Sequence, residues 1–388
     1  MSKLCISLPP FAPDYSGAAA ALFDMGGMII IHDASGCTGN YTGYDEPRWY
    51  GSDSAVFCSG LRHMDAILGN DEKLIEQIKK GAESLKPKFI AILGSPVPMV
   101  IGTDFKGIAK EVEYETGIPT IGIATRGLEY YGKGISDALT ELMKKIEPEE
   151  KIEAHDGINL LGITPLDFYI NGNHEDFIKL FRENGFKLRT AYSMGMKFED
   201  MECSFSAKLN VAISQAGVQV AEYMQQIYDI PYIATTPLGD GEIALEAVRK
   251  ALTGSYEAYI PDSENAKILI VGEQIIANSI REYLQRKEGC GSISVAVLFD
   301  VSDQYLAKGD INIKDETELR KILNSGQYKT VIGDPMLKQL IKKGQKIRFY
   351  DLPHVAVSSK VHWDEYKKIL SNETAEWLKN IGGKKYEG

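Results

Sequence analysis

Short apolar runs rich in isoleucine, valine and alanine alternate along this chain with longer amphipathic stretches. The runs "MIII" (28–31) and "FIAIL" (89–93) are typical of buried strands, whereas "DEKLIEQIKKGAESL" (71–85) carries its apolar residues at helical spacing. Strands that alternate with helices of this length predict parallel sheets flanked by helices. The pattern therefore predicts an α/β fold.

Two polar breaks divide this pattern into three similar blocks. The first break is the charge-rich "EPEEKIEAHDG" (147–157), and the second is "YIPDSENAK" (259–267). In the middle block, "KLNVAISQAGVQVAEYMQQIYD" (208–229) is predicted to form one helix. The blocks share architecture without a clean sequence repeat. We predict three domains, which span residues 1–150, 151–262 and 263–388.

The charge balance and the N-terminus restrict the possible partners and location. The 388 residues carry a formal net charge of -11, which argues against nucleic acid or an anionic membrane surface as the partner. No apolar run approaches the ~20 residues needed to span a bilayer. The first residues, "MSKLCISLPPFAPDYSG", lack the apolar core of a secretory signal. We expect a cytoplasmic protein with neither nucleic acid nor a membrane as partner.

The cysteines are few, and three of them lie close to predicted strand ends or loops. Cys5, Cys37 and Cys58 fall in the first block, whereas Cys203 and Cys290 are expected to pack as small apolar side chains. Ligands of open α/β sheets gather beyond the carboxyl ends of strands, and thiolates are the usual ligands of iron–sulfur clusters. Zinc is less favoured because no Cys-x-x-Cys or paired Cys/His element occurs. The wide spacing means that these ligands would converge only through folding.

Glycine-containing strand ends offer weaker candidates for nucleotide or anion binding. The segment "ILIVGEQIIANSI" (268–280) has one glycine where a dinucleotide fingerprint has three, so a plain strand-to-helix turn is the preferred interpretation. The two glycines of "PLGDGEIAL" (237–245) either present backbone N–H groups to an anion or simply begin a helix. No Walker A sequence is present, so ATP hydrolysis by this chain is not expected.

The element "HDASGC" (32–37) resembles the His-Gly-Pro-x-Gly-Cys element of the nitrogenase component 1 family. The resemblance continues in order through "AILGNDEKLIEQI", "FIAILGSPVPMVIGTDFKGIAKEVEYETGIPTIGIATRGLEYYGKGISDAL" and the middle block, and it covers nearly the whole chain. This family also includes cluster-assembly scaffolds and reductases of protochlorophyllide, chlorophyllide and nickel sirohydrochlorin. The resemblance implies three Rossmann-like domains with parallel sheets.

The resemblance also implies an iron–sulfur cofactor and its partners. Cys5, Cys37 and Cys58 fall on positions that ligate a cluster in one or another subunit of the family. The cluster, of the 4Fe–4S or larger 8Fe–7S type, would be shared between two subunits. These subunits would form a homodimer or a heterodimer with a component 1 homologue. A nitrogenase-iron-protein-like ATPase would supply the electrons.

Three positions depart from the family pattern or match it incompletely. Ser95 stands where the family often has a further cysteine, and it is either an iron ligand or an ordinary loop serine. Ile213 replaces the cysteine that holds the catalytic metallocofactor of nitrogenases, so dinitrogen reduction is not expected. His354 lies near the place of the cofactor's histidine, and it is either a ligand or an exposed loop residue.

These observations favour an iron–sulfur subunit of a two-component reductase with an open substrate class. Electrons would pass through the cluster to a substrate or to a second metallocluster in the cleft among the domains. The alternative is a scaffold that assembles a nitrogenase-type cofactor and passes it on. A third hypothesis is a small-molecule binder whose α/β units close on a ligand.

Overall fold

The computed structural model describes residues 6–52, 54–69, 71–148 and 156–382. Its strands are β1 (Met28–Ile31), β2 (Ala55–Cys58), β3 (Ile90–Leu93), β4 (Thr120–Ile123), β5 (Ile158–Ile163), β6 (Leu188–Ser193), β7 (Leu209–Ala212), β8 (Tyr232–Ala234), β9 (Ile268–Gly272), β10 (Ile293–Val297), β11 (Ile311–Asn312), β12 (Thr330–Gly333) and β13 (Arg348–Asp351). Its helices are α1 (Asp14–Leu22), α2 (Gly36–Asn40), α3 (His63–Leu68), α4 (Asp71–Leu85), α5 (Pro96–Ile101), α6 (Phe105–Thr116), α7 (Tyr131–Ile146), α8 (Pro165–Phe168), α9 (Asn173–Glu183), α10 (Met201–Ser204), α11 (Gln215–Tyr228), α12 (Glu242–Leu252), α13 (Gln274–Arg286), α14 (Glu316–Leu323), α15 (Val355–Ser358) and α16 (Asn372–Gly382).

The strands form three parallel sheets with helices between them, as the pattern predicted. The first sheet has the order β2-β1-β3-β4, the second β6-β5-β7-β8, and the third β11-β10-β9-β12-β13. Most central strands are buried along their whole length, which explains their nearly continuous apolar sequences. The predicted fold class is thereby confirmed. The domain boundaries stay a prediction, and residues 149–155 of the first polar break lie outside the described ranges.

Two segments differ from the sequence-based prediction. The predicted helix over 208–229 is divided, because Leu209–Ala212 forms the buried strand β7 and the helix begins at Gln215. A fully buried strand has the same short apolar run as a buried helical turn, so periodicity alone does not separate them. The segment around Cys58, interpreted as a loop, is the edge strand β2.

Helices α1 and α7 pack closely against each other, and each contributes a tyrosine to a candidate site. A Cβ atom on Gly17 would lie 2.0 Å from the carbonyl oxygen of Tyr131, and one on Gly134 would lie 1.8 Å from that of Asp14. Only glycine therefore permits this backbone contact. The contact places Tyr15 of α1 beside one candidate site and Tyr131 of α7 beside another.

Among the described residues, no helix combines the length and the apolar character needed to cross a bilayer.

Candidate functional site

The carboxyl ends of three neighbouring strands bring the first candidate site together. Strand β1 lies between β2 and β3, and its last residue, Ile31, is in register with Cys58 and Leu93. The residues that follow these strand ends therefore meet at one edge of the sheet. This edge gathers His32, Cys37, Cys58 and Ser95, as the sequence order suggested.

Asp33, which the sequence analysis did not single out, organises this edge. Its carboxylate accepts backbone N–H groups from Ser35 at 3.0 Å and from Thr38 at 3.1 Å. Ser35 adopts a φ of 152°, in the region that favours glycine, and this strain persists because the surrounding hydrogen bonds hold the loop. Asp33 thereby fixes the first turn of α2, which presents Cys37.

The Cys37 thiol is half-buried among polar groups. Burial, followed by the negative charge of Asp33, raises its pKa, whereas contacts with the Tyr15 and Ser95 hydroxyls lower it. The net rise keeps this thiol protonated in the metal-free chain at neutral pH. A metal that binds here would therefore displace a proton.

Cys58 contacts the backbone of the same aspartate. Its half-buried thiol donates to the backbone oxygen of Asp33 at 3.3 Å and accepts the N–H group of Gly60 at 3.4 Å. The structure thus places Cys37 and Cys58 in contact with one residue. Within the described part of the chain, however, no group of three or more His, Cys, Asp or Glu side chains is arranged to hold a metal ion. A single chain therefore offers two described thiols, which is half of a four-cysteine set.

The other predicted ligands have different outcomes. Cys5 lies outside the described residues, and the segment that follows it is bound elsewhere, because Glu316 of α14 accepts the N–H groups of Ile6, Ser7 and Leu8. These hydrogen bonds anchor the N-terminal segment to α14, a helix of the third block. The position of Cys5 stays a prediction.

Ser95 and His32 stabilise the loop at this edge. The fully buried Ser95 donates its hydroxyl to the carbonyl oxygen of His32 at 2.9 Å, which accounts for it as a structural serine. The His32 ring nitrogen Nδ1 lies 2.8 Å from the hydroxyl of Ser59, the residue after Cys58. Burial lowers the pKa of His32. These bonds tie the loops that carry the two thiols to the sheet.

The remaining cysteines lie elsewhere. Cys203 is exposed on α10, so the expectation of a packed apolar thiol was wrong for this residue. Cys290 is half-buried and packs against the apolar core that includes Ile280 and Leu284 of α13, as expected. Neither belongs to the sheet edge that carries Cys37 and Cys58.

Exposed apolar side chains surround the two thiols. Helix α3 follows Cys58, helix α5 follows Ser95, and the two helices contact each other. We call their exposed apolar residues and the adjacent strand residue the apolar face: Phe57, Met64, Ile67, Leu68, Val97, Val100 and Ile101. Val100 is 86% exposed and Leu68 is 73% exposed. A contiguous apolar surface of this kind is typical of a protein–protein interface.

A second candidate site lies where the three sheets meet. Asp167 follows β5, Glu273 follows β9, Asp334 follows β12 and His354 follows β13, and all four line one small cavity. Of these four residues, only His354 was predicted from the sequence. The signal was present, since each acid stands within a few residues of a buried strand's carboxyl end.

This cavity does not accommodate the second metallocluster that the sequence analysis allowed for. It has a volume of about 30 Å³, enough for one or two water molecules. Ile213, at the position of the missing cofactor cysteine, is fully buried in the surrounding apolar core. The residues that line this cavity thus fit neither the ligand set nor the size of such a cluster.

Two comparisons with known sequences address the family. A family model described as nitrogenase component 1 type oxidoreductase matches residues 13–253. The NifE cofactor biosynthesis protein of Clostridium pasteurianum is 27% identical over 272 residues, covering 67% of this chain and 57% of that protein. Component CfbD of the Ni-sirohydrochlorin a,c-diamide reductive cyclase complex of Methanothermobacter thermautotrophicus is 29% identical over 156 residues, covering 36% of this chain and 40% of that protein. The chain thus spans about half the length of these relatives.

A solved structure supports the same fold over the full length. The chain described as "Nitrogenase Cp1 at pH 6.5" superposes with a TM-score of 0.68 and covers 100% of this chain and 96% of its own. The sequence identity is 14%, so this likeness concerns the fold alone.

Proposed function

The chain belongs to the nitrogenase component 1 type oxidoreductases, and from that membership we propose that it is the iron–sulfur subunit of a nitrogenase-like two-component reductase. The observation that supports this most directly is that Cys37 and Cys58 both contact Asp33, at the carboxyl edge of the first sheet. Thiolates at such an edge are suitable ligands for iron.

We propose that two subunits complete the ligand set. Two copies related by a two-fold axis would present four described thiols, and Cys5 would raise this number to six. The bound cluster would supply the capacity to take up and release electrons at low potential. Cys37 and Cys58 would hold it, while Asp33 would keep the Cys37 loop in one conformation.

The apolar face supports a second copy of this chain as the occupant of this edge. A subunit seated on α3 and α5 would cover Leu68 and Val100 and exclude water from the thiols. Exclusion of water lowers the local dielectric, which tunes the reduction potential of a cluster. The alternative occupant is a homologous component 1 subunit. A measurement of the oligomer would distinguish it from a second copy of this chain.

The electron donor would be a separate nitrogenase-iron-protein-like ATPase in the cytoplasm. This chain has no Walker A sequence, so nucleotide hydrolysis falls to the partner. The substrate class stays open. Dinitrogen reduction is not proposed, because Ile213 and the small cavity offer no place for a second metallocofactor.

Anaerobic purification followed by iron and acid-labile sulfide analysis tests this proposal. We expect a brown protein with about one four-iron cluster per dimer and an EPR signal after reduction. Light scattering on the same sample should give a dimer mass. Colourless, iron-free protein after anaerobic reconstitution would refute the proposal.

A second candidate function is a scaffold that assembles a nitrogenase-type cofactor. The likeness to NifE, which is named as a cofactor biosynthesis protein, favours it. Mixing the reconstituted protein with an iron-protein-like ATPase and ATP separates the two. Sustained electron uptake supports the reductase, whereas a single transfer of iron and sulfide to an apo-acceptor, without sustained uptake, supports the scaffold.

A further inference from the structure

Two buried acceptor atoms beside the central cavity have no hydrogen-bond partner. The Asp167 side chain is fully buried, yet its Oδ2 atom is unpaired, and the same holds for Nδ1 of His354, whose side chain is 10% exposed. Both residues line the cavity of about 30 Å³. A buried polar atom left unpaired costs roughly 1–3 kcal/mol. This cost implies a ligand that the cavity is built to receive.

The surrounding contacts define what that ligand must offer. Asp167 Oδ1 accepts the hydroxyl of Tyr131 at 2.5 Å and lies 3.1 Å from Nε2 of His354. Because the carboxylate is an acceptor, a neutral His354 imidazole carries its proton on Nε2, and its Nδ1 then presents a lone pair. Both unpaired atoms are therefore acceptors, so the ligand must donate hydrogen bonds.

The unpaired carboxylate oxygen of Asp167 favours a cation as the ligand of this cavity. Asp167, Glu273 and Asp334 line it, and the last two already accept backbone N–H groups. Lys367 also lines the cavity, but its amine lies beside Glu373 and the ring of Trp377. A metal ion is disfavoured, because the described side chains include no group of three or more potential ligands that could hold one.

We propose that the cavity binds one small cation that carries N–H donors, ammonium or methylammonium, between Oδ2 of Asp167 and Nδ1 of His354. Such an ion would occupy the space of one or two water molecules and satisfy both acceptors. Since Tyr131, Asp167 and His354 follow or begin elements of the first, second and third sheets respectively, the ion would stabilise the junction of all three. This inference does not depend on the iron–sulfur cluster.

Thermal unfolding in ammonium chloride and in potassium chloride, at equal ionic strength, tests the inference. Potassium has nearly the size of ammonium but no hydrogen to donate. We expect ammonium to raise the Tm by about 1–3 °C over potassium. Asp167→Asn should abolish the difference, whereas Asp364→Asn, which removes an exposed charge outside the cavity, should preserve it. Equal stabilisation by the two salts would overturn the requirement for N–H donors.

A direct measurement on the unmodified chain covers the possibility that Asp167→Asn does not fold, since Asp167 also contacts Tyr131 and His354. Proton–nitrogen exchange spectroscopy with 15N-labelled ammonium should reveal a slowly exchanging bound ion. No bound signal together with no shift in Tm would show that the cavity holds only water and would refute the inference. Cys37→Ala should leave both readouts unchanged, which separates this test from that of the proposed function.

Discussion

The carboxyl edge of the first sheet and the central cavity form at the same kind of place in an α/β fold, but one lies at the surface and the other is buried. Both gather polar residues beyond the carboxyl ends of parallel strands. At the edge, the half-buried Cys37 and Cys58 lie beside an exposed apolar face. In the centre, the buried Asp167 and His354 line a small cavity of about 30 Å³.

The difference lies in what completes each site. The central cavity is lined by residues of the second and third sheets and of the segments that follow their strands, all within one chain, so the proposed small cation would complete it. The edge site lies beside α3 and α5 on the chain's surface and has two described thiols, so the proposed cluster would require another chain. The proposed electron transfer would therefore occur at the seam between subunits, and the proposed cation would bind within each subunit.

The largest expected effect comes from removing a thiol at the edge. Cys37→Ala should abolish most of the bound iron and the EPR signal, because the Cys37 thiolate would be a ligand of the proposed cluster and alanine has no group that binds iron. Cys203→Ala, which removes an exposed thiol on α10, is the matched control and should retain both. Unchanged iron content in Cys37→Ala would show that Cys37 is not a ligand and would remove the proposed difference between the edge and the centre.

The next effect concerns the apolar face. Val100→Glu should weaken the dimer at least about 100-fold, because a charge buried in an apolar interface loses several kcal/mol of solvation. Sedimentation or light scattering over a range of protein concentrations measures this change. Tyr114→Glu is the control, since Tyr114 is 87% exposed near the end of α6, toward the opposite edge of the sheet. A dimer of unchanged affinity in Val100→Glu would assign the face to another partner.

The pH dependence of stability should distinguish the centre from the edge. Burial and the nearby charge of Asp167 raise the pKa of Glu273 to about 8. The unfolded chain releases this proton near pH 4.5, while the folded chain keeps it to about pH 8. The free energy of unfolding should therefore fall as the pH rises through this window, by a few kcal/mol at most.

Denaturant unfolding between pH 5 and pH 8 measures this slope in the parent protein and in Glu273→Gln. The variant should show a shallower slope. Asp45, whose burial raises its pKa to about 7, contributes equally in both proteins, so the difference isolates Glu273. Parallel slopes would show that Glu273 is already ionised in the folded chain, stabilised by the N–H groups it accepts.

The smallest effect is expected for the serine at the edge. Ser95→Ala removes a buried hydrogen bond to the carbonyl oxygen of His32 and should cost about 1 kcal/mol of stability. Iron content should not change, because the serine hydroxyl already has a backbone partner. A loss of iron equal to that of Cys37→Ala would instead make Ser95 a ligand.

Local patterns anticipated much of the fold but not the acids of the centre. The buried strands β1 and β3 were evident from their apolar runs, and the position of Cys37 after β1 predicted its place at the sheet edge. Strand β7 was missed, since its apolar residues continue into those of α11 without a break. Asp167 and Glu273 were missed because each looks like an ordinary polar residue after a strand until the other sheets are placed around it.

The sequence by itself determined the α/β class, the three parallel sheets and the delivery of Cys37 to a strand end, because hydrophobic periodicity and strand-to-loop order are local properties of the chain. Only the tertiary structure decided that Asp33 joins Cys37 to Cys58, that Asp167 connects Tyr131 to His354, and that the apolar face stays exposed. Most of these contacts join residues that are distant in sequence. Their energies arise from burial and hydrogen bonding that exist only after the sheets have packed.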